Sequence, residues 1–261
     1  ENLNFSNTTK LGGAVQLTTT HFTIAGMVAQ TAGLSLKNNY LVNKQFLPNA
    51  VTLTDILAHE NYNQLFLLGS PAKFGDRDLY FKTHGNVEVV DYFEAKKRNY
   101  IANDYNVWLG YEDKKLFSNA KKELTNLASK KEPFSFIMLT ADTHFTDGYL
   151  DLTCPKKFDT QYENVFACSS LMVKEFIDWI QKQDFYKNTT IVLTGDHLGM
   201  QADFYKNLNS NYQRTTFNTF INSKTTTNNQ NRLFSTLDLF PTVLASLNVK
   251  IEGDRLGLGT N

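Results

Sequence analysis

Thr190-Ile191-Val192-Leu193-Thr194-Gly195-Asp196-His197 reads as a short, β-branched, apolar strand that would be covered on both faces. It ends abruptly in two side chains able to bind a metal. Open α/β sheets hold their ligands in the crevice beyond the carboxyl ends of their strands, which is where an Asp-His pair after such a strand falls. A carboxylate oxygen beside an imidazole nitrogen suits Zn²⁺ or Mn²⁺ better than Ca²⁺, which takes all-oxygen shells. Alone the dipeptide carries little, because most such pairs are surface polar residues. Upstream, Phe134-Ser135-Phe136-Ile137-Met138-Leu139-Thr140 reads as a second buried strand, and it runs into Ala141-Asp142-Thr143-His144. Between the two, Tyr162 to Gln181 has helical periodicity. This strand-helix-strand unit predicts two parallel neighbouring strands with both histidines on one edge of one sheet. Further upstream, Leu53 to His59 with Thr54 reads as a capped helix, followed by the strand Gln64-Leu65-Phe66-Leu67-Leu68 and then Gly69-Ser70. Alternating strands and helices predict an α/β fold with a mostly parallel central sheet flanked by helices.

The 261 residues allow one α/β domain or two small ones, and one is favoured. Twenty-six basic against twenty-six acidic residues leave no net charge and no footprint for nucleic acid. Lys114-Lys115 and Lys121-Lys122 read as a solvated helix face. No apolar run reaches the roughly 18 residues needed to cross a bilayer, and no signal-peptide pattern opens the chain. The chain as it stands reads as soluble and as an excised piece of something longer. The two cysteines, Cys154 and Cys168, are too few for a structural zinc site. They either pair in a disulfide, or Cys168 stays reduced on a helical stripe with Val165, Met172, Phe176 and Trp179. Ser223 to Asn231 is a loop rich in Thr and Asn. Ser235 to Leu247 fits a helix in which Pro241 must occupy the first turn or a kink.

Near the N-terminus, Thr18-Thr19-Thr20-His21-Phe22-Thr23 precedes a small-residue helical segment, Ile24-Ala25-Gly26-Met27-Val28-Ala29-Gln30. A hydroxyl at a helix start gains from exposed N–H groups and the positive dipole end, which stabilise an attacking alkoxide and a phosphate brought to it. The bland alternative is an N-cap threonine.

The ordered phrases beginning at Phe22-Thr23-Ile24-Ala25-Gly26, Asp142-Thr143-His144-Phe145-Thr146-Asp147-Gly148, Leu193-Thr194-Gly195-Asp196-His197, Asp238-Leu239-Phe240-Pro241-Thr242 and Gly253-Asp254-Arg255-Leu256-Gly257 together resemble the phosphoglycerol transferase I family of osmoregulated glucan synthesis. That family is related to lipoteichoic acid synthase in the alkaline phosphatase and sulfatase superfamily. The resemblance implies an alkaline phosphatase-like α/β fold and a single sulfatase-like catalytic domain over 1–261. It further implies transfer of glycerophosphate from a phosphatidylglycerol-type lipid to a glycan or teichoic-acid-like acceptor through a threonine-linked intermediate. By the same resemblance Thr23 is the nucleophile and touches the metal, Asp196 and His197 are metal ligands, His144 contacts the transferred group, and Arg77 matches a substrate-binding arginine loosely. For Arg77 a solvated loop residue is the alternative. The implied cofactor is Mn²⁺, with Zn²⁺ or Mg²⁺ as alternatives. The implied setting is the periplasm or cell surface, as the catalytic domain of a membrane-anchored bacterial protein, with no nucleic-acid or protein partner.

Departures from the family are specific. Its Glu-Ser-Leu-Glu phrase supplies a metal-ligand glutamate, whereas Glu1 matches the second glutamate of that phrase, so the first strand and one ligand would precede this sequence. Thr146 and Ser35 stand where prolines are usual, which alters loop stiffness and no reacting group. Three rivals follow. A formylglycine sulfatase needs a C/S-x-P-x-R phrase, and Cys154-Pro155 lacks it. A phosphoethanolamine transferase usually brings several disulfides. A catalytically impaired binding domain would follow from the missing glutamate. Candidate acceptor loops are Trp108-Leu109-Gly110-Tyr111 and Ser223 to Asn231.

Overall fold

A computed structural model describes residues 2–3, 13–225, 233–253 and 255–260. The strands are β1 Asn2–Leu3, β2 Leu41–Val42, β3 Gln45–Phe46, β4 Asn63–Leu68, β5 Glu88–Val90, β6 Phe134–Leu139, β7 Ile191–Thr194, β8 Asn218–Ile221, β9 Arg255–Leu256 and β10 Gly259–Thr260. The helices are α1 Thr23–Ala32, α2 Leu53–His59, α3 Arg77–Thr83, α4 Tyr92–Lys97, α5 Asp113–Ala128, α6 Gln161–Ile180, α7 Ala202–Tyr205 and α8 Leu239–Ser246. The chain divides into two compact units, each built from non-contiguous segments: Glu1–Leu53 with Phe185–Leu198 and Phe204–Asn261, and Thr54–Asp184 with Gly199–Asp203.

In the first unit β8 is the central strand of an antiparallel sheet ordered β1-β8-β7. Ala14, Phe220, Phe234 and Leu239 form a buried cluster, with Val192 and Val243 packed against it. Helix α1 is almost wholly apolar and small, so Ile24 to Ala29 are all buried. It stops at Gly33, whose left-handed conformation (φ 63°) lets its N–H reach Ala29 O. The β9–β10 hairpin covers that end, with Leu258 N–H bonded to Gly33 O at 2.8 Å. Pro241 occupies the first turn of α8, where its missing N–H costs nothing, after a 3₁₀ turn at Thr236–Asp238.

The second unit is a parallel sheet ordered β5-β4-β6 with helices α2 to α6 around it. Central β4 is the apolar run expected of a strand covered on both faces, with Leu65 to Leu68 at most 1% exposed. A Thr160–Glu163 capping box starts α6 one residue before the predicted position. Helices α5 and α6 meet through Phe117 and Phe176, ring centroids 5.2 Å apart. Cys154 and Cys168 are joined in a disulfide across Cα atoms 5.6 Å apart.

One topological expectation fails. The strands β6 and β7 are not parallel neighbours: β6 pairs with β4, and β7 pairs antiparallel with β8. Both are edge strands of their sheets among the described residues, and both are half-buried along their length where full burial was expected. Side-chain periodicity reports that a segment is extended and apolar, and it carries no information about which strand donates the hydrogen bonds.

Candidate active site

Thr23 is the first helical residue of α1. The N-cap is Phe22, in extended conformation, and no side chain caps the helix. Thr23 is therefore not the N-cap threonine of the bland reading. No acidic residue lies in the first turn, so the N-terminal N–H groups and the positive dipole end stay unneutralised beside its hydroxyl. Thr20 is fully buried, where its hydroxyl donates to Leu17 O (2.9 Å) and accepts from the Leu17 N–H (3.1 Å).

What brings α1 to the end of β7 is Gly26. A Cβ placed there would lie 2.1 Å from Asp196 O, so the helix can approach the strand end only where it lacks a side chain. One turn on, Gln30 Nε2 donates to Gly195 O at 2.8 Å. Thr23, Gly26 and Gln30 fall on one helical stripe by their spacing, and the contacts of the latter two turn that stripe toward Gly195 and Asp196. Gln16 completes the frame by accepting from the Leu198 N–H at 2.7 Å. Gly26 was legible in the sequence, since a glycine inside a helix costs up to about 1 kcal/mol and marks a close approach. Gln16 and Gln30 gave no such signal.

Asp196 and His197 face each other. Asp196 Oδ1 accepts from the His197 N–H at 2.9 Å, and Oδ2 stands 3.4 Å from His197 Nε2. His197 Nδ1 lies 2.9 Å from Leu198 O, and a carbonyl can only accept, so Nδ1 is the donor there and Nε2 is the ring nitrogen turned toward Asp196. Two donors each about 2.1 Å from one ion at a tetrahedral angle stand about 3.4 Å apart, so the pair fits a Zn²⁺- or Mn²⁺-sized ion. No group of three or more His, Cys, Asp or Glu that could hold a metal occurs among the described residues. Glu1 lies outside them.

In the second unit, the parallel pairing of Leu68 with Leu139 puts the segments after β4 and β6 at one sheet edge. His144 follows β6, half-buried, in a turn closed by its N–H to Ala141 O at 2.9 Å. Its Nδ1 lies 2.6 Å from Phe145 O and must donate, which leaves Nε2 to accept from a hydroxyl, or to donate to a phosphate once the ring is charged. The turn is anchored from below by a reciprocal clamp. Asp113 accepts from the N–H groups of Ala141 (2.8 Å) and Asp142 (3.0 Å), while Asp142 Oδ1 accepts from the Asp113 N–H at the start of α5 (3.1 Å). Both carboxyls are at most 2% exposed, and Asp142 Oδ2 has no partner among the described residues. Burial, then the charge of Asp113, pushes Asp142 up to about 8; burial also raises Asp113. Asp113 escaped the sequence reading because the following Lys114-Lys115 marks the helix start as surface.

Arg77, the first residue of α3, is 5% exposed and so is not a solvated loop residue. Its guanidinium donates to Phe74 O (2.8 Å), Pro71 O (2.9 Å) and Ser70 Oγ (3.3 Å), bracing the loop after β4. Thr23, Asp196 and His197 thus belong to the first unit, His144 and Arg77 to the second.

Comparison with known proteins supplies the lineage. Phosphoglycerol transferase I of Citrobacter koseri is 33% identical over 228 residues, covering 83% of this chain and 29% of that protein. The Escherichia coli protein of the same name is 32% identical over 230 residues with the same coverage. The chain therefore spans 29% of the length of the curated relatives it matches. Among solved structures, the lipoteichoic acid synthase LtaP from Listeria monocytogenes superposes with a TM-score of 0.70 at 16% identity, over 99% of this chain and 65% of that one. A protein in the alkaline phosphatase superfamily from Vibrio parahaemolyticus gives 0.68 at 19% identity, over 91% and 58%. The fold is accordingly that of the alkaline phosphatase superfamily. With the sulfatase family model matching residues 13–249, across the strand end that carries Asp196 and His197 and the helix that starts at Thr23, the chain belongs to the sulfatase family.

Proposed function

We propose that this chain is the catalytic domain of a metal-dependent phosphoglycerol transferase, which moves glycerophosphate from a phosphatidylglycerol-type lipid to a glycan or polyglycerolphosphate acceptor. The observation that carries the reading is the Thr23 hydroxyl at the uncapped start of α1, on a helix drawn against Asp196 through Gly26. Asp196 and His197, with Thr23, would hold the ion, Mn²⁺ by family resemblance; when bound, it lowers the hydroxyl pKa and neutralises charge on the phosphate oxygens. Thr23 Oγ attacks phosphorus as the bond to the diacylglycerol oxygen breaks, and the threonine proton ends on the departing diacylglycerol. An acceptor hydroxyl then attacks the threonine-linked glycerophosphate, and its proton returns to Thr23. The N–H groups at the start of α1 stabilise the phosphate in both steps. His144 is assigned the contact with the transferred group and Arg77 a substrate-binding role. The Cys154–Cys168 disulfide supports an extracytoplasmic setting, since such bonds persist in oxidising compartments.

Two rivals separate from this reading. A formylglycine sulfatase is disfavoured because Cys154, which precedes Pro155, is held in the disulfide. A phosphoethanolamine transferase differs only in its donor. The deciding experiment supplies Mn²⁺ and a fluorescent phosphatidylglycerol to the intact protein and measures diacylglycerol release. Release is expected, with phosphatidylethanolamine a poor donor, and Thr23→Ala should lower it by at least about a thousandfold while leaving the circular dichroism unchanged. Full activity of Thr23→Ala would sink the nucleophile assignment. Saturable lipid binding with no turnover would make the chain a binding domain.

A further inference from the structure

Residues 107 to 110 form a tight turn in which Val107 and Gly110 exchange backbone hydrogen bonds of 2.8 and 3.1 Å. Trp108 occupies its first central position at φ 57°. Such turns favour Gly, Asn or Asp there, and a bulky residue with positive φ is strained. Burial does not fully offset that strain, because Trp108 stays 37% exposed and its neighbour Leu109 is 41% exposed. Gly110 pins the turn: at φ 152° it lies so close to the strand end after β4 that a Cβ would meet Gly69 O at 2.1 Å. The indole N–H is already used, donating to Ala141 O at 3.3 Å. That same oxygen accepts the His144 N–H at 2.9 Å, so one carbonyl joins the indole to the His144 turn. On that turn Phe145, 39% exposed, stacks on the His144 imidazole with centroids 4.8 Å apart and planes at 15°.

From this arrangement we propose that Trp108 and Phe145 form a carbohydrate-binding platform that seats a sugar ring of the acceptor beside His144. The inference rests on the transfer reading and names residues that would seat its acceptor. With its N–H bonded to Ala141 O, Trp108 has ring surface left to offer a ligand. A pyranose presents C–H groups on its face and hydroxyls around its rim, so stacking holds the ring and leaves the rim hydroxyls free to react. A tryptophan seated in a lipid headgroup layer would use its N–H outward as the polar handle, and here that N–H is spent.

The test is equilibrium binding of short linear gluco-oligosaccharides to the intact protein by calorimetry, in parallel with binding to phosphatidylcholine vesicles containing phosphatidylglycerol. Saturable saccharide binding is expected. Trp108→Ala should weaken it by about tenfold or more, Trp108→Phe should stay close to the parent because a ring face remains, and vesicle binding should not change. Phe145→Ala should weaken saccharide binding independently of the indole. Unchanged saccharide affinity in Trp108→Ala would overturn the proposal, and so would a loss confined to vesicle binding, which would make the turn a lipid contact. Diacylglycerol release without any saccharide binding by the parent removes the platform and leaves the transfer reading standing. Trp108-dependent saccharide binding without release does the reverse.

Discussion

At Gly26 a single missing methyl group decides whether the candidate metal pair sits beside the candidate nucleophile. Gly26→Ala would improve intrinsic helix propensity by up to about 1 kcal/mol, yet its Cβ would collide with the Asp196 carbonyl at 2.1 Å. The collision is with backbone, which cannot rotate away, so overpacking of about 1 to 3 kcal/mol should win. The expected outcome is a lower urea midpoint together with weaker Mn²⁺ binding, because the displaced strand end carries both candidate ligands. A Gly26→Ala protein with parental stability and metal affinity would show that α1 does not depend on this approach. The residue scale also shows what chain position alone conceals. Thr20 and Thr23 are hydroxyls three residues apart, but one is wholly buried and bonded to the Leu17 backbone while the other begins the helix.

At the scale of elements, the reciprocal clamp between Asp113 and Asp142 ties the start of α5 to the end of β6 and so fixes the His144 turn. Its two carboxyls are buried together, which sets a pH signature. Asp142 holds its proton in the folded state up to about 8, whereas in the unfolded chain it gives the proton up near the ordinary value of 3.8. Across that window the native state binds more protons, so stability falls as pH rises, by up to about 1.4 kcal/mol per unit for this proton, and levels off above the folded pKa. Asn at 142 is neutral at every pH and can still accept the Asp113 N–H. Asp142→Asn should therefore flatten the decline in urea midpoint between about pH 6 and pH 8, while the raised Asp113 keeps part of it below that range. An unchanged slope in the variant would place the titration elsewhere.

For the whole molecule, metal binding is a linkage term. An ion that binds the folded chain and not the unfolded one stabilises it by RT ln(1 + [L]/Kd), so Mn²⁺ at a hundred times its Kd should add about 2.7 kcal/mol and raise Tm. His197→Ala should abolish that rise while barely changing Tm without metal, since the imidazole's polar contacts among the described residues are local, with the adjacent Leu198 carbonyl and Asp196 carboxylate. A metal-induced rise that survives in His197→Ala would move the site. The α/β class, the strands β6 and β7 with their polar ends, helix α6, and the first-turn place of Pro241 were all legible in the sequence. Each follows from local periodicity or from the conformational limits of a single residue type. The family was legible too, because its phrases are contiguous. Which strands pair was not: β7 lies antiparallel to β8, and hydrogen-bond partners are chosen by the whole set of competing strands. Nor did local sequence show that Arg77 is buried against its own loop, that Asp113 and Asp142 clamp one another, or that the indole of Trp108 shares a carbonyl with His144. Those contacts join residues 29 and 33 positions apart in the case of Asp142 and Trp108, and only the packed chain brings such partners within hydrogen-bond range.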